Sequence, residues 1–598
     1  MLVPLHSMKN IHDLLIAGVL EAAQALYGAS IGAEQIQLQN TRKEFEGDIT
    51  LVVFPMVKIS KKGPEQTAQE VGTFLQSHVE LVAGFNVVKG FLNLVISSNY
   101  WLEFVQKEGT NTSFGLAAPN SKPRVMVEYA SPNTNKPLHL GHLRNIFLGA
   151  AVAEILKANG HAVTKVQIIN DRGIHICKSM VAWQKFGNGE TPQSSGLKGD
   201  KLVGKYYVAF DQAFKAEKKA LEEQGVTDQE APIMLEAQEM LRKWEAKDAE
   251  VLQLWETMNG WVYVGFNASY ATMGVTFDKL YYESQTYLSG REEVLEGLKN
   301  GVFTQKEDGS IWVDLTPDGL DEKVLLRKDG TAMYITQDIG TAILRFKDYP
   351  DTAYQIYTVG NEQEYHFKVL FKVLEKLGWD QAKKCYHLSY GMVELPEGKM
   401  KSREGTVVDA DDIMAEMKNV AREVAEEQGK LDGLNVEEKE ALYHVIGMAS
   451  LKYFLLRVDP TKNMLFNPKE SIDFNGHTGP FIQYGYVRTR ALARRNEEAK
   501  TAWTWGEVSL NDQERTLVKK LHDFPAVLKE AGDRFNPSMI ANYSFELIKD
   551  FNSFYQHCSI LKEENKAQRQ FRLDLTSFVG LVTQMGMRML GVDMPERM

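Results

Sequence analysis

The chain has 598 residues, 44% of them hydrophobic and 25% charged, and a formal net charge of −11. That length exceeds what one hydrophobic core serves, so about three to five domains are expected, and the composition excludes a disordered or low-complexity chain. The acidic balance excludes a surface that binds polyanions everywhere, so any nucleic-acid contact must come from a local basic patch.

From the N-terminus, residues 10–27 carry apolar side chains at helical spacing and stop at Gly28. Asp13 and Glu21 interrupt this stretch, and no run approaches about 18 uncharged apolar residues, so neither a signal peptide nor a membrane span is expected and the default location is cytoplasmic. Strand-like alternation follows on both sides of Glu46-Gly47-Asp48, then a helix over Glu65 to His78 and strands within residues 79–97. Residues 1–115 therefore read as a small α+β module, closed by the linker Gly115 to Pro123.

Beyond the linker the pattern changes. Residues 124–130 form an apolar strand, 131–142 a loop (SPNTNKPLHLGH), 143–160 an amphipathic helix and 162–170 a second apolar strand. Residues 354–360, 364–378 and 385–393 repeat the strand–helix–strand theme. This predicts an α/β fold, a Rossmann-like doubly wound parallel sheet over 119–406, interrupted by a Lys/Glu-rich and mostly helical insertion at about 185–275. From 407 to 598 the periodicity is almost only helical, which predicts an all-α domain. Cys177, Cys385 and Cys558 lie far apart without a CxxC pair, which argues against a disulfide framework and a structural zinc site.

The chemistry concentrates in the loop between the first strand and its helix, where an open parallel sheet binds ligands and exposed N–H groups favour phosphate. His139-Leu140-Gly141-His142 puts two imidazoles within reach of one ligand, and Gly141 permits close approach to the backbone. Imidazole N–H groups can donate to phosphate oxygens as charge builds there. No GxGxxG is present.

HLGH resembles the nucleotide-binding signature of class I aminoacyl-tRNA synthetases, and by itself leaves related nucleotidylyltransferases open. The longer string SPNTNKPLHLGHLR resembles that of the arginyl-tRNA synthetases. After the strand at 385–393, ELPEGKMKSREGTVV is similar to the family's Lys-Met-Ser-Lys-Ser loop. Lys399-Met400 matches its first two positions and Ser402 falls where the second lysine would stand. The resemblance implies that Lys136 takes over for that lysine. His139, His142, Lys136 and Lys399 are then the catalytic set, and ATP meets His139, Gly141, His142, Lys399, Lys401, Ser402 and Arg403.

A site for arginine must pair a planar guanidinium with carboxylates. RKDGTAMYITQDIGTA is similar to the family's guanidinium-binding segment, with Tyr334 and Asp338 on one face if helical. The resemblance adds Glu283, Glu128, Asn133, Gln363 and His142 as arginine contacts. NDRGIHI (170–176) matches a family segment in which tryptophan is more usual where Arg172 stands.

In the helical region, DFNGHTGPFIQYGYVRTRALARR interleaves Phe481, Tyr484 and Tyr486 with Arg488, Arg490, Arg494 and Arg495, a pattern suited to unstacked bases. It resembles the family's anticodon-binding domain, and the resemblance implies tRNA contacts at Phe481, Tyr484, Arg488, Tyr555 and Met598. The N-terminal module is similar to the family's additional domain that meets the tRNA near its D-loop, with Asn93 as the contact. The partners implied are L-arginine, ATP with Mg²⁺ carried by the nucleotide, and tRNA(Arg). No dedicated metal site, no membrane contact and a monomeric state are expected, and activation itself is expected to need tRNA. Another class I synthetase, a nucleotidylyltransferase and a non-catalytic derivative stay open at this point.

Overall fold

The computed structural model describes residues 11–42, 44–226, 230–394, 408–427, 431, 433–498 and 507–598. It divides into two compact units. One holds residues up to Thr112 with Ala491–His522 and Asp550–Val579, and the other Ser113–Arg490, Asp523–Lys549 and Gly580–Met598.

In the first unit, four antiparallel strands lie in the order Gln37–Asn40, Ile49–Val52, Phe91–Ile96, Val82–Val88. The helices Ile11–Tyr27 and Pro64–His78 bury Leu15, Val19, Val71 and Leu75. Glu46-Gly47-Asp48 precedes the second strand. Buried Asp48 accepts from Ile96 N at 2.7 Å and pairs with Arg515 and Lys519, each at 3.0 Å. Gly47 sits at φ +135°, a conformation glycine alone adopts freely, and lies against Asn93. This motif is thus a joint of the unit's own framework.

The second unit is built on five parallel strands: β1 (Lys122–Glu128), β2 (His161–Ile169), β3 (Lys279–Tyr282), β4 (Thr352–Gly360) and β5 (Tyr386–Tyr390). Their spatial order is β5-β4-β1-β2-β3, every neighbouring pair parallel. The order reverses between β1 and β4, which makes the carboxyl ends of those two strands the place for a ligand. Buried Val125, Met126 and Val127 of β1 and Ile356 and Tyr357 of β4 explain why the central strands read as unbroken apolar runs.

Eight helices of this unit matter for the site. They are α1 (Leu140–Ala158), α2 (Ile174–Phe186), α3 (Gly199–Glu223), α4 (Pro232–Glu245), α5 (Ala249–Met273), α6 (Glu283–Lys299), α7 (Tyr334–Asp348) and α8 (Glu364–Lys376). The predicted helical insertion is α3 to α5. α6 and α7 cross at Gly290 and Gly340, where a Cβ on either would collide with the facing backbone. Thr286 and Thr341 share a hydrogen bond of 3.1 Å beside that crossing. Sequence-distant residues at the two helix starts are thereby brought to one place.

Beyond residue 407 the regular elements of the described residues are helices apart from Met464–Leu465, which pairs in parallel with Val393–Glu394. No helix of the described residues is long and apolar enough to cross a membrane.

Candidate active site

The loop after β1 runs beside the loop after β2. Asn133 and Asn170 form a parallel bridge, Thr134 N donates to Asn170 O at 3.1 Å, and Asn170 N donates to Pro132 O at 2.9 Å. The sheet is thus extended past its strand ends, and a cleft of about 590 Å³ opens there. Asn133, Lys136, Arg172, Glu283, Tyr334 and Asp338 are among its lining residues.

His139 is the N-cap of α1. Its Nδ1 accepts from Gly141 N at 3.1 Å, and His142 Nδ1 accepts from His139 N at 3.1 Å, so the two imidazoles form a capping box. A backbone N–H can only donate, so both Nδ1 atoms are acceptors and both ring protons sit on Nε2. The rings lie 3.9 Å apart. Burial, with Lys136 adding to it, pushes the His139 pKa down to about 4. Burial, then His139 and Lys136, holds His142 well below the usual histidine range. Both are therefore neutral at pH 7, each with one fixed N–H to offer. Gly141 lies against the His139 ring, and a Cβ there would press on Cε1 and Nδ1.

The residues just after HLGH tie this helix down. Arg144, 1% exposed, donates to the carbonyls of Gly391 (2.5 Å), Met392 (3.3 Å), Pro460 (3.2 Å) and Lys462 (2.8 Å). Asn145 accepts from Ala130 N at 2.7 Å and donates to Thr358 O at 2.6 Å and Tyr390 Oη at 3.1 Å. It staples β1, β4 and β5 at the switch point and holds Ala130 in its left-handed conformation, φ 57°.

The acids come from two helix starts. Glu283 opens α6 directly after β3, and Tyr334 opens α7 with Asp338 one turn on, the i, i+4 spacing predicted. Tyr334 is 78% exposed. Asp338 Oδ2 meets His366 Nε2, from α8, at 2.6 Å. Burial pushes the Glu283 carboxyl up to about 7; Arg172 opposes that rise, and Asp171 and Asp338 add to it. Asp171 accepts from Ser284 N (2.8 Å), Ser284 Oγ (2.7 Å) and Tyr263 Oη (3.0 Å), locking the residue after Glu283 in place.

Of the predicted site residues, Asn133, Lys136, Glu283, Tyr334 and Asp338 meet on this cleft, with the His139–His142 pair on the loop that frames it. Glu128 is not on the cleft wall: it is buried in an ion pair with fully buried Arg345. Gln363 ends an exposed turn after β4 and is not part of the lining either. Lys399, Lys401, Ser402 and Arg403 lie outside the described residues. The chain is described again from Val408, whose carbonyl accepts from Leu140 N at 3.3 Å, while Ala410 N donates to Leu138 O at 2.9 Å. The backbone at Val408 to Ala410 is therefore bridged to the HLGH turn itself.

Among the predicted tRNA contacts, Tyr484 and Met598 line a small apolar pocket with Phe474, Leu442 and Ile446. Arg488 lies over the Tyr484 ring at 4.6 Å, and the Phe481 and Phe545 rings lie 5.0 Å apart, tilted by 42°. Tyr555 belongs to the other unit and is exposed. Asn93 is placed differently from a surface contact. It is 2% exposed, accepts from Thr50 Oγ1 at 2.7 Å and donates to Asn86 at 2.9 Å, so both amide atoms are engaged inside the first unit.

Sequence reasoning passed over His366, Gln337, Asp171, Arg144 and Asn145. Arg144 and Asn145 follow HLGH after one leucine, and Arg144 and Asp171 lie within the quoted strings SPNTNKPLHLGHLR and NDRGIHI, without a role having been read for them. Nothing local marks His366.

A parallel sheet with this strand order, a His-x-Gly-His turn at the first helix and a helical C-terminal region define a class I aminoacyl-tRNA synthetase. The family model for the catalytic domain of class I (R) tRNA synthetases matches residues 108–468, and that for the DALR anticodon binding domain matches 482–598. An arginine–tRNA ligase of Bacteroides thetaiotaomicron is 56% identical over 597 residues, covering 98% of this chain and 100% of its own, and one of Flavobacterium psychrophilum is 52% identical over 98% and 100%. The chain belongs to the arginine–tRNA ligase family. The arginyl-tRNA synthetase of Thermus thermophilus shares the fold at a TM-score of 0.79 and 24% identity, over 98% of this chain and 100% of that one.

Proposed function

We propose that the cleft between the loop after β1 and the starts of α6 and α7 binds L-arginine for the reaction of this family, the ATP-dependent joining of arginine to the 3′-terminal ribose of its tRNA. One observation carries the reading: Asp338, Tyr334 and Glu283, from sequence-distant segments, line one cleft beside the loop that bears two neutral imidazoles. Asp338 and Glu283 pair with the guanidinium, and Tyr334 hydrogen-bonds it. Asn133 holds the backbone end of the amino acid, and Lys136 faces phosphate. Lysine is rejected because an ammonium leaves carboxylate lone pairs unmatched.

The arginine carboxylate attacks the α-phosphorus of ATP and pyrophosphate leaves. The ribose hydroxyl of the tRNA then attacks the carbonyl carbon of the adenylate and AMP leaves. Such transfers depend on positioning and charge neutralisation. The Nε2–H groups of His139 and His142 are fixed donors, need no reorientation and stay neutral, so they stabilise charge as it develops on phosphate oxygens. Lys399, Lys401, Ser402 and Arg403 complete that neutralisation. Mg²⁺ arrives with ATP as part of the substrate. Glu128 acts at one remove, through Arg345. Phe481, Tyr484, Arg488, Tyr555 and Met598 serve the anticodon; the additional domain meets the tRNA through its surface, with Asn93 supporting that surface from below. The protein works as a cytoplasmic monomer.

The test is ATP–pyrophosphate exchange with each amino acid, with and without tRNA(Arg). Exchange is expected with arginine alone among the amino acids and only when tRNA is present. No arginine-dependent exchange in the presence of tRNA would sink the reading, and exchange with another amino acid would reassign the cleft.

A further inference from the structure

The cleft contains a guanidinium of its own. Arg172 extends from the loop after β2 with its side chain only 11% exposed. Its Cζ lies 4.0 Å from the Tyr287 ring centroid and 5.4 Å from that of Trp244, and Nη2 meets Glu245 Oε1 at 3.2 Å. Aromatic faces on two helices and a carboxylate thus hold the group flat in one place. Gln337 connects it to Glu283. With its amide oriented so that both atoms are satisfied, Nε2 donates to Glu283 Oε1 at 2.8 Å and Oε1 accepts from Arg172 Nη1 at 3.3 Å.

We infer that Arg172 is a positioning residue for substrate specificity: through Gln337 and by its charge it favours the ionised Glu283 carboxylate and aims it into the cleft, ready for the guanidinium of arginine.

The surroundings make this necessary. Glu283 is largely withdrawn from water, and its other charged neighbours are acidic: Asp171 on the loop after β2 and Asp338 on α7, with Glu245 on α4 behind Arg172. Acidic neighbours and no cation around a largely buried carboxyl would favour protonation, and a neutral carboxylic acid is a poor partner for a guanidinium. Arg172 supplies the cation without filling the substrate position, because Tyr287, Trp244 and Glu245 hold it against the cleft wall. Lys136 and Arg327 also line the cleft, but neither touches Glu283 or Gln337 among the described contacts. The inference rests on the arginine reading of the cleft.

The test is the pH profile of kcat/KM for arginine in ATP–pyrophosphate exchange with tRNA(Arg) present, for wild type, Arg172→Gln and Arg172→Lys. Removing the cation is expected to move the acidic limb of the profile to higher pH, with a loss of about threefold or more at about pH 7 that shrinks to within about twofold near pH 9. The KM for ATP should stay within about twofold, since the imidazoles do not touch Arg172. Arg172→Lys keeps the charge, so its limb should stay where the wild-type limb is. A loss in Arg172→Gln that is the same at every pH, or no loss, would overturn the inference and reduce Arg172 to packing. If Arg172→Gln shows no cooperative thermal transition, Gln337→Met, which breaks the link from Arg172 to Glu283, decides instead: a limb moved to higher pH supports the role, and an unmoved limb overturns it. Wild-type enzyme separates the two levels. If wild type gives no arginine-dependent exchange, the cleft reading fails; an arginine-responsive wild type with a superimposable Arg172→Gln profile removes only Arg172.

Discussion

Glu283 makes the arginine site titrate where the histidines do not. Its carboxyl is pushed up to about 7, chiefly by burial. If the substrate guanidinium requires the anion, kcat/KM for arginine scales with the ionised fraction of the free enzyme, so the value is divided by about 11 at pH 6, about 2 at pH 7 and about 1.1 at pH 8 for a pKa near 7. The predicted loss between pH 8 and pH 6 is therefore about tenfold. His139, at about 4, lies outside this window, and His142 is held well below the usual histidine range. Initial rates of ATP–pyrophosphate exchange at saturating ATP and tRNA(Arg), with arginine varied, measure the profile directly. Glu283→Gln is the control: it should lose about 10- to 100-fold at pH 8, the worth of a hydrogen bond to a charged group. The drop toward pH 6 should shrink in that variant. A wild-type profile that is flat from pH 6 to 8, or one whose slope Glu283→Gln leaves intact, would show that Glu283 does not pair with the substrate as an anion.

Three further outcomes follow from the geometry. Asp338→Asn should lower kcat/KM for arginine by about 100-fold while leaving the KM for ATP within about twofold, and equal losses in both would count against a guanidinium partner. Gly141→Ala should crowd the His139 ring and disturb the N–H to Nδ1 bond that fixes its tautomer, cutting kcat about 10-fold or more with arginine KM little changed, as read from exchange kinetics. Arg345→Met should strand Glu128 inside the sheet, costing about 3–5 kcal/mol in urea-melt stability, whereas Arg345→Met combined with Glu128→Leu should recover most of that loss; a single variant as stable as wild type would deny the pair its buried character.

Much of this was readable from the chain because it is local. The apolar runs of β1 and β4 follow from burial on both faces, and the i, i+4 spacing of Tyr334 and Asp338 follows from helix geometry. The turn with two histidines lies where strand gives way to helix, so its position follows from periodicity alone. What was hidden is non-local. Glu128 looks like any acid beside a substrate loop, and only the packing of Arg345 from α7 shows that its charge is already met. Asn93 is implied as a tRNA contact by resemblance, yet it faces Thr50 and Asn86 across two registers. His366 reaches Asp338 from a helix 28 residues on, a distance no periodic signal spans. In all three the deciding partner is set by tertiary packing.

The span from His139 to Asn145 divides into two kinds of residue with one purpose. His139, Gly141 and His142 shape the phosphate-facing turn; Arg144 and Asn145 face away from it and hold it still. Arg144 gathers carbonyls from the segments around Gly391 and Pro460, while Asn145 joins the ends of β1, β4 and β5. The same helix start thus bears the donors and is held from several sides, with Val408 and Ala410 also hydrogen-bonded to it. A donor stabilises a transition state only if its direction is set before charge develops. Loss of Arg144 would leave the Gly391 and Lys462 carbonyls without the donor they have here and remove a second donor from those of Met392 and Pro460, although its side chain touches no substrate. The Leu-Arg-Asn that follows the motif therefore acts on the chemistry through geometry.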